Sequence, residues 1–374
     1  MMATALRIPD GGQAADIEAR TFKAALRILS GARDRSATYA PLQQVRVTAT
    51  HGGLTLASQN LRAIIRVAVP ADATGALDIL IPWDTAVSLA NLPGRLTLSD
   101  GAASGAATLQ WVSLPIRDWP TAPEIHADAA LGSPAAVIVD AAQLAADLRL
   151  LAVAVARDES RPVLRGVRVE AGKRGTLLIG TDGTRLTRTC LGPTGLPDHV
   201  VGQAGLEALS TALGTRPTGD VAWRAGDTWN AWTWGAVTVA AEHLTGRYPD
   251  YIRVLPDEYP AAVTLDRDAW AAAMKPIVAL ARRDRAGSIV VQWGPGGLTL
   301  RADAMDVGTA QTSVAGKGGP GQPVEARFDP RLLADVPKGF GPGPITVAWS
   351  GRETPMAATQ GDRLHIVLPL RDMV

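Results

Sequence analysis

The sequence contains a single cysteine, Cys190, among 374 residues. An intrachain disulfide and a thiolate metal cluster are therefore excluded, and this cysteine usage is typical of a reducing compartment. The longest apolar run, at residues 150–156, is far too short to span a bilayer. The N-terminal segment also lacks an apolar core of the length found in signal peptides. We therefore expect a soluble, cytoplasmic protein with no membrane partner.

An excess of charge of either sign is also missing. The 37 lysine and arginine residues nearly balance the 36 aspartate and glutamate residues, which leaves a formal net charge of +1. Such a chain exerts little long-range attraction on polyanions. Any binding of nucleic acid must therefore come from a local arrangement of its basic side chains.

Motifs of catalysis and metal binding are absent as well. The five histidines are scattered and none has metal-ligand spacing. The glycine-rich run at residues 316–321 lacks the strand-to-helix context of a nucleotide loop, and Arg174 follows Lys173 where a phosphate loop needs serine or threonine. Asp158 and Glu159 are adjacent and read better as a solvated turn than as an acid–base pair. We therefore expect that the protein is not an enzyme and that it has no cofactor and no metal site.

The sequence does contain a long internal repeat. A helical stretch followed by a basic turn and a hairpin occurs three times. The turns are marked by Arg33, Arg157 and Arg282, which are 124 and 125 residues apart (157 − 33 and 282 − 157), and the hairpins by Gly53, Gly175 and Gly297, which are 122 residues apart. A fixed period of this length indicates three similar domains, which we place at residues 1–128, 129–256 and 257–374.

Each repeat predicts an α+β domain with two helices packed on antiparallel strands. The second helices are expected at about residues 84–91, 203–213 and 328–336, with Asp84 as a cap. Pro276 predicts a kink or a late start in the first helix of the third domain, and residues 316–322 predict a flexible loop. Because free strand edges tend to pair, we expect sheets to continue from one domain to the next.

Basic residues recur on or just after the first helix of each repeat. In any one copy a solvated helix face is the simpler interpretation. Their recurrence at equivalent positions favours contact with phosphates, which requires no reading of bases. The candidate DNA-binding residues are Lys23, Arg27, Arg33, Arg35, Arg149, Arg157, Arg161, Lys275, Arg282, Arg283 and Arg285.

Four segments resemble the bacterial β sliding clamp of DNA polymerase III. They are LRGV at residues 164–167, GTDGTRL at 180–186, GRYPDYIRVLP at 246–256 and IVLPLR at 366–371. The resemblance spans nearly the whole chain. It is strongest in the second domain and at the C-terminal end, and weakest in the first domain.

The resemblance implies a DNA sliding clamp, a processivity factor built from three repeated clamp domains per chain. A head-to-tail homodimer would form a six-domain ring around double-stranded DNA and bind it without sequence preference. Dimer contacts would join residues 109–114 of one chain to residues 277–283 of the other. Partners would be the DNA polymerase III alpha subunit, the clamp loader and other proteins with clamp-binding peptides.

The same resemblance implies a peptide pocket formed by the second and third domains. Its aliphatic walls suit aliphatic and aromatic anchors, with arginines at the rim. For each of these residues, ordinary strand or turn packing is the competing interpretation. The expected pocket residues are Leu164, Thr181, Gly183, Thr184, Arg185, Leu186, Pro249, Arg253, Val254, Ile366, Val367, Leu368, Pro369, Leu370 and Arg371.

Two other functions remain open at this point. One is a clamp-like adaptor of plasmid or phage type, which binds peptides without encircling DNA. The other is a hydrolase on a three-domain sheet scaffold, which the lack of catalytic motifs disfavours.

Overall fold

A computed structural model describes residues 13–50, 52–120, 135–215, 217–255, 261–283, 287–305, 307–349 and 351–371. The α-helices in these ranges are α1 (Ala19–Leu29), α2 (Trp83–Ala90), α3 (Ala141–Ala154), α4 (Gln203–Leu213), α5 (Arg267–Ala281) and α6 (Pro330–Asp335). Short 3-10 turns precede or follow several of them. The expected pairing of two helices with each repeat is confirmed.

The strands are numerous and short. The first ten are β1 (Ala14–Glu18), β2 (Gln44–Thr50), β3 (Gly53–Gln59), β4 (Ala63–Pro70), β5 (Asp72–Thr74), β6 (Asp78–Pro82), β7 (Arg95–Ser99), β8 (Ala102–Ser104), β9 (Leu109–Gln110) and β10 (Val137–Asp140). The next eight are β11 (Gly166–Gly172), β12 (Gly175–Thr181), β13 (Arg185–Cys190), β14 (His199–Gly202), β15 (Asp220–Ala225), β16 (Trp229–Trp234), β17 (Val237–Glu242) and β18 (Ala261–Asp266). The last seven are β19 (Ile289–Gly294), β20 (Gly297–Ala304), β21 (Gly308–Gly318), β22 (Val324–Phe328), β23 (Pro344–Trp349), β24 (Met356–Gln360) and β25 (Arg363–Val367).

The chain divides into two compact units, Met1–Ala142 with Val201–His243, and Gln143–Val200 with Leu244–Val374. The expected domain boundaries after residues 128 and 256 lie outside the described residues. The division into three domains therefore stays a prediction.

The first unit contains a five-stranded sheet, ordered β5-β1-β7-β8-β9, and an eight-stranded sheet, ordered β10-β15-β16-β17-β4-β3-β2-β6. The pairing of β17 with β4 joins strands from the first and second repeats, so the sheet does continue across the repeat boundary. Helix α1 buries Phe22, Leu26 and Leu29. A side chain at Gly31, in the 3-10 turn after α1, would meet Thr211 of α4 at 2.8 Å, so this turn and α4 approach closely.

The second unit contains a twelve-stranded sheet, ordered β14-β11-β12-β13-β25-β24-β23-β18-β21-β20-β19-β22. Here β13 pairs antiparallel with β25, which joins the second and third repeats. The core around α5 includes the fully buried Trp270, Trp293 and Phe328. Leu150 of α3 belongs to the same apolar cluster, so a helix of the second repeat helps to fill the core of the third.

The hairpin glycines of the three repeats occupy equivalent places. Gly53, Gly175 and Gly297 begin β3, β12 and β20. A Cβ atom at Gly175 would lie 2.2 Å from the carbonyl carbon of Gly192, and one at Gly297 would lie 2.2 Å from the carbonyl oxygen of Val314. Only glycine allows the neighbouring strand to come so close, which explains why the period of 122 residues is most regular at these positions.

Several local predictions are wrong. Asp84 does not cap α2, because the N-cap residue is Pro82. In the third repeat, by contrast, α5 is capped by Asp266, which accepts a hydrogen bond from Ala269 N. That helix begins at Arg267 and continues through Pro276, so it has no late start, and the alternative of a kink at Pro276 stays a prediction. Gly316–Gly318 is the end of β21 and not a loop, because it pairs with β18.

No helix within the described ranges is long and apolar enough to cross a membrane.

Candidate functional site

A cavity of about 440 Å³ lies in the second unit at one end of strands β12, β13 and β25. Its walls come from the turn after α3, the β12–β13 turn, the segment after β17 and the C-terminal end of β25. The lining residues are Arg161, Val163, Leu164, Thr181, Gly183, Arg185, Leu186, Arg247, Pro249, Asp250, Tyr251, Ile366 and Leu368. We call this cavity the peptide pocket, after the site that the sequence resemblance implies.

The β12–β13 turn owes its shape to its own side chains. Asp182 Oδ1 accepts hydrogen bonds from the backbone N–H groups of Thr184 at 2.9 Å and of Arg185 at 3.1 Å. Gly183 has φ of +91°, which favours glycine. Thr181 Oγ1 accepts from the Gly183 N–H at 3.1 Å and donates to the Arg185 carbonyl at 2.6 Å. The Thr-Asp-Gly-x-Arg pattern is therefore first a turn, and the turn places Thr181 and Arg185 at the cavity.

Arg185 ties this turn to helix α6. Its Nε donates to Asp182 Oδ2 at 2.8 Å, and its Nη1 donates to Asp335 Oδ2 at 2.7 Å. Burial alone would raise the pKa of Asp335, but hydrogen bonds from Lys338 and Arg185 outweigh it and lower that pKa below its usual value. A charged carboxylate therefore holds the arginine in place at the rim of the cavity.

The last strand supplies the opposite wall. Ile366 pairs with Leu186 across the β13–β25 ladder, and beyond the strand Leu368 N donates to Thr184 O at 3.0 Å. Because side chains alternate along a strand, Val367 lies on the other face, fully buried in the core around Trp270. It does not line the peptide pocket.

Two tyrosines support the base of the cavity. Tyr251 donates from its hydroxyl to Glu170 Oε1 at 2.5 Å, and Tyr248 donates to Ile179 O at 3.1 Å. Burial raises the pKa of both phenols, and in Tyr251 the bond to Glu170 adds to the shift. Both groups therefore remain neutral near pH 7. Tyr251 belongs to the apolar cluster of Ile179 and Leu186, and Tyr248 packs against that cluster.

Eight of the expected pocket residues line the cavity, namely Leu164, Thr181, Gly183, Arg185, Leu186, Pro249, Ile366 and Leu368. Thr184, Arg253, Pro369, Leu370 and Arg371 lie outside its lining, and Arg253 is paired with Asp250 at 2.9 Å. The side chain of Val254 is outside the described residues. The structure adds Val163, Arg247, Asp250 and Tyr251. The GRYPDYIRVLP segment, which carries part of the resemblance, contains three of these four residues, so the motif itself was the signal that could have identified them.

The expected DNA-binding residues lie mostly on exposed surface. Lys23, Arg27 and Arg35 of the first repeat, Arg149 and Arg157 of the second, and Lys275, Arg282 and Arg283 of the third are all exposed, whereas Arg285 is outside the described residues. Lys23 donates to Asn91 at 2.9 Å.

Two members of this set differ from the rest. Arg33 is only 20% exposed, stacks over the Trp83 ring at 5.0 Å and pairs with Asp84 at 3.3 Å. It is therefore engaged within the first unit. Arg161 lines the peptide pocket beside Gly183. Its position in sequence after a basic helix gave no indication of this placement.

Among the residues that the structure describes, no group of three or more histidine, cysteine, aspartate or glutamate side chains could hold a metal ion.

Comparison with known proteins points in one direction. No protein-family model matches the chain. A β sliding clamp from Synechococcus elongatus is 25% identical over 297 residues, which cover 78% of this chain and 76% of the relative. The fold is that of solved bacterial sliding clamps. A DNA polymerase sliding clamp from Bacillus subtilis superposes with a TM-score of 0.86 at 18% identity, covering 97% of this chain and 100% of that one. A sliding clamp, DNA polymerase III subunit β, from Bartonella birtlesii bound to griselimycin gives 0.85 at 21% identity, covering 96% and 99%.

Proposed function

We infer that this chain, which is similar in sequence and fold to bacterial β sliding clamps, acts as a DNA sliding clamp. It encircles duplex DNA as a non-enzymatic processivity factor and tethers the replicative polymerase. The observation that carries this function is the agreement of sequence similarity over 78% of the chain with the clamp fold over 97%. A clamp-like adaptor that does not close on DNA is not favoured by either comparison.

The peptide pocket is the proposed attachment site for partners. Leu164, Leu186 and Ile366 form buried aliphatic walls, and Leu368 lies half-buried at the mouth. Such walls suit an aliphatic or aromatic anchor, while Arg161, Arg185 and Arg247 offer charge at the rim. A short peptide of the DNA polymerase III alpha subunit, of the clamp loader or of another clamp-binding protein would occupy it.

The exposed basic residues on and after α1, α3 and α5 are the proposed DNA contacts. Lysine and arginine meet phosphates without reading bases. Contacts of this kind allow a ring to slide, because no base sequence is preferred. Arg33 and Arg161 contribute less to this surface in our proposal, since one is engaged with Trp83 and the other faces the peptide pocket.

Dimer closure would use the sheet edges. Strand β9 ends the five-stranded sheet and β22 ends the twelve-stranded sheet, and within the described residues each has a neighbour on one side only. Open edges invite pairing with another chain. A head-to-tail homodimer with twofold symmetry would give six domains. By the resemblance, residues 109–114 of one chain would also contact residues 277–283 of its partner, at the end of α5.

The test is the solution state of the full chain. Sedimentation should give twice the chain mass of 39.0 kDa, and a low-resolution envelope should show a central hole wide enough for duplex DNA. A monomer at micromolar concentration, or a dimer without a hole, would refute the ring.

A further inference from the structure

A second cleft lies in the second unit, at the other end of the strands that form the peptide pocket. Its volume is about 410 Å³. Four cationic residues line it, Lys173, Arg174, Arg188 and Arg363, together with Cys190. The side chain of Arg363 extends to the opposite face of the sheet, towards α3. We call this cleft the basic groove.

The charges of the basic groove are incompletely balanced. Its lining contains one carboxylate, Asp362, which is paired with Arg174. Arg363 is paired at 2.7 Å with Asp147 of α3. Lys173 is exposed and Arg188 is partly buried, and neither side chain makes a hydrogen bond or an ion pair within the described part of the chain. Two cations in one concave site, without counter-charges, favour an anionic ligand.

The basic groove and the peptide pocket share one face of the sheet. Side chains alternate along β13, so Leu186, Arg188 and Cys190 lie on the same face. Thr187 lies on the opposite face, where a side chain at Gly180 would meet both Thr187 and Leu151 of α3. Leu186 lines the peptide pocket, whereas Arg188 and Cys190 line the basic groove.

The distance between the two sites is short. Cys190 lies four positions after Leu186 in β13, or about 13 Å at the usual rise along a strand. The apolar cluster that contains Leu186, Tyr251 and Leu364 lies between them. Four or five residues of extended peptide would therefore reach from one site to the other.

We propose that the basic groove binds an acidic segment of the same partner whose hydrophobic anchor occupies the peptide pocket. The proposal rests on the proposed function, since that function places the anchor. A peptide fits better than nucleic acid, because the groove lies on the face of the sheet opposite α3 and the proposed DNA-binding residue Arg149. Glutamate or aspartate side chains would pair with Lys173 and Arg188, which lack other counter-charges.

Cys190 provides a direct probe, because it is partly exposed and is the single cysteine in the chain. Synthetic peptides would share a core with two leucines and a phenylalanine. Four glycines or four glutamates would be added at either the N-terminal or the C-terminal end of this core, which gives four peptides. Fluorescence anisotropy would give the affinity at low and high salt, and iodoacetamide would report the alkylation rate of Cys190.

One of the two glutamate peptides should bind roughly tenfold more tightly than its glycine counterpart at low salt, as two or three exposed ion pairs would give. High salt should remove the gain, and the same peptide should slow the alkylation of Cys190. Lys173→Gln with Arg188→Gln should abolish the gain but keep the affinity for the glycine peptide. The control is Arg301→Gln, which removes one arginine charge from the exposed pair with Asp303. It should change neither the gain from glutamate nor the affinity for the glycine peptide.

Equal affinity of the glutamate and glycine peptides would overturn the proposal while the peptide pocket stands. Failure of every core peptide to bind would instead contradict the proposed function. In that case the basic groove is tested with tetraglutamate alone. Tetraglutamate must slow the alkylation of Cys190 in the native chain but not in the double variant. Equal protection by a single-stranded oligonucleotide would overturn the assignment to an acidic peptide.

Discussion

Arg363 Nε donates to Asp147 Oδ1 at 2.7 Å, and the carboxylate of Asp147 is fully buried. The pair joins helix α3 of the second repeat to β25 of the third, the strand that also carries Ile366 of the peptide pocket. Burial raises the pKa of Asp147, and the neighbouring Arg363 opposes that rise. The arginine therefore compensates a charge that would otherwise be costly to bury.

Arg363→Met should destabilise the chain by about 3–5 kcal/mol, because it leaves Asp147 buried without a partner. Asp147→Leu combined with Arg363→Met should recover much of that loss. Urea unfolding measures both. The exposed pair of Arg301 and Asp303 is the control, since Arg301→Met should cost less than about 1 kcal/mol. Equal costs for the two arginines would show that the buried pair has no special role.

Stability should fall in mild acid because of His365. This side chain is fully buried, and neither of its ring nitrogens has a hydrogen-bond partner within the described residues. Burial, helped by the charge of Arg185, lowers its pKa to about 3. Below about pH 6.5 the unfolded chain binds a proton at this histidine, whereas the folded chain stays neutral there until the pH approaches 3. The contribution of neutral His365 to the free energy of unfolding is therefore complete above pH 6.5 and is lost as the pH falls towards 3.

The loss attributable to His365 is about 1.4 kcal/mol for each pH unit below the ordinary pKa. His365→Leu should therefore flatten the dependence of the unfolding free energy on pH between about 6.5 and 4.5. Urea titrations at several pH values measure this. An equally steep profile in the variant would place the acid sensitivity elsewhere.

Binding of a polymerase peptide should depend on Leu368. Leu368→Ala removes an aliphatic wall at the mouth of the peptide pocket, and a buried anchor contact of this kind is worth about 2 kcal/mol. The expected reduction of affinity is about thirtyfold by anisotropy. Met305→Ala, at a residue that is 95% exposed, should have no effect. Unchanged binding in Leu368→Ala would remove this wall from the proposed site.

Leu370 provides a finer comparison. Its side chain is 44% exposed and lies outside the cavity lining, so Leu370→Ala should weaken peptide binding less than Leu368→Ala. The reverse order would mean that the peptide extends past the cavity along the C-terminal segment.

DNA association should depend on the exposed arginines. Reversing the charge of Arg157 and Arg282 should weaken binding and reduce the slope of log affinity against log salt by about 0.9 for each phosphate that is no longer neutralised. Filter binding over a range of salt concentrations measures the slope. Arg301→Glu is the matched control. A slope that does not change would place Arg157 and Arg282 away from DNA.

The repeat and most helices could be predicted because each depends on local chemistry. The helix at Gln203–Leu213 is predicted with its observed bounds, since its apolar spacing is regular. The strands β1, β5, β6, β8, β10, β14, β18 and β22 are not predicted from the pattern. Each has only three to six residues, and, apart from β8, each has a pairing partner that lies far away in sequence.

Tertiary contacts explain the remaining differences. Gly316 looks like part of a loop in sequence, yet a side chain there would meet Leu265 and Val263 at 2.6 Å, so its lack of a Cβ allows β21 to pair with β18. Arg161 follows a basic helix but reaches the peptide pocket, because the turn brings it beside Gly183. Neither outcome is visible from local pattern alone.

A sliding clamp holds DNA by enclosing it, and enclosure can be measured directly. The protein is loaded onto nicked circular DNA with a bacterial clamp loader, the proposed partner, and its retention is followed before and after a single cut in the circle. We predict stable retention on the circle and rapid release from the ends once the DNA is linear. Equal retention on circular and linear DNA, or no retention on either, would contradict a topological clamp.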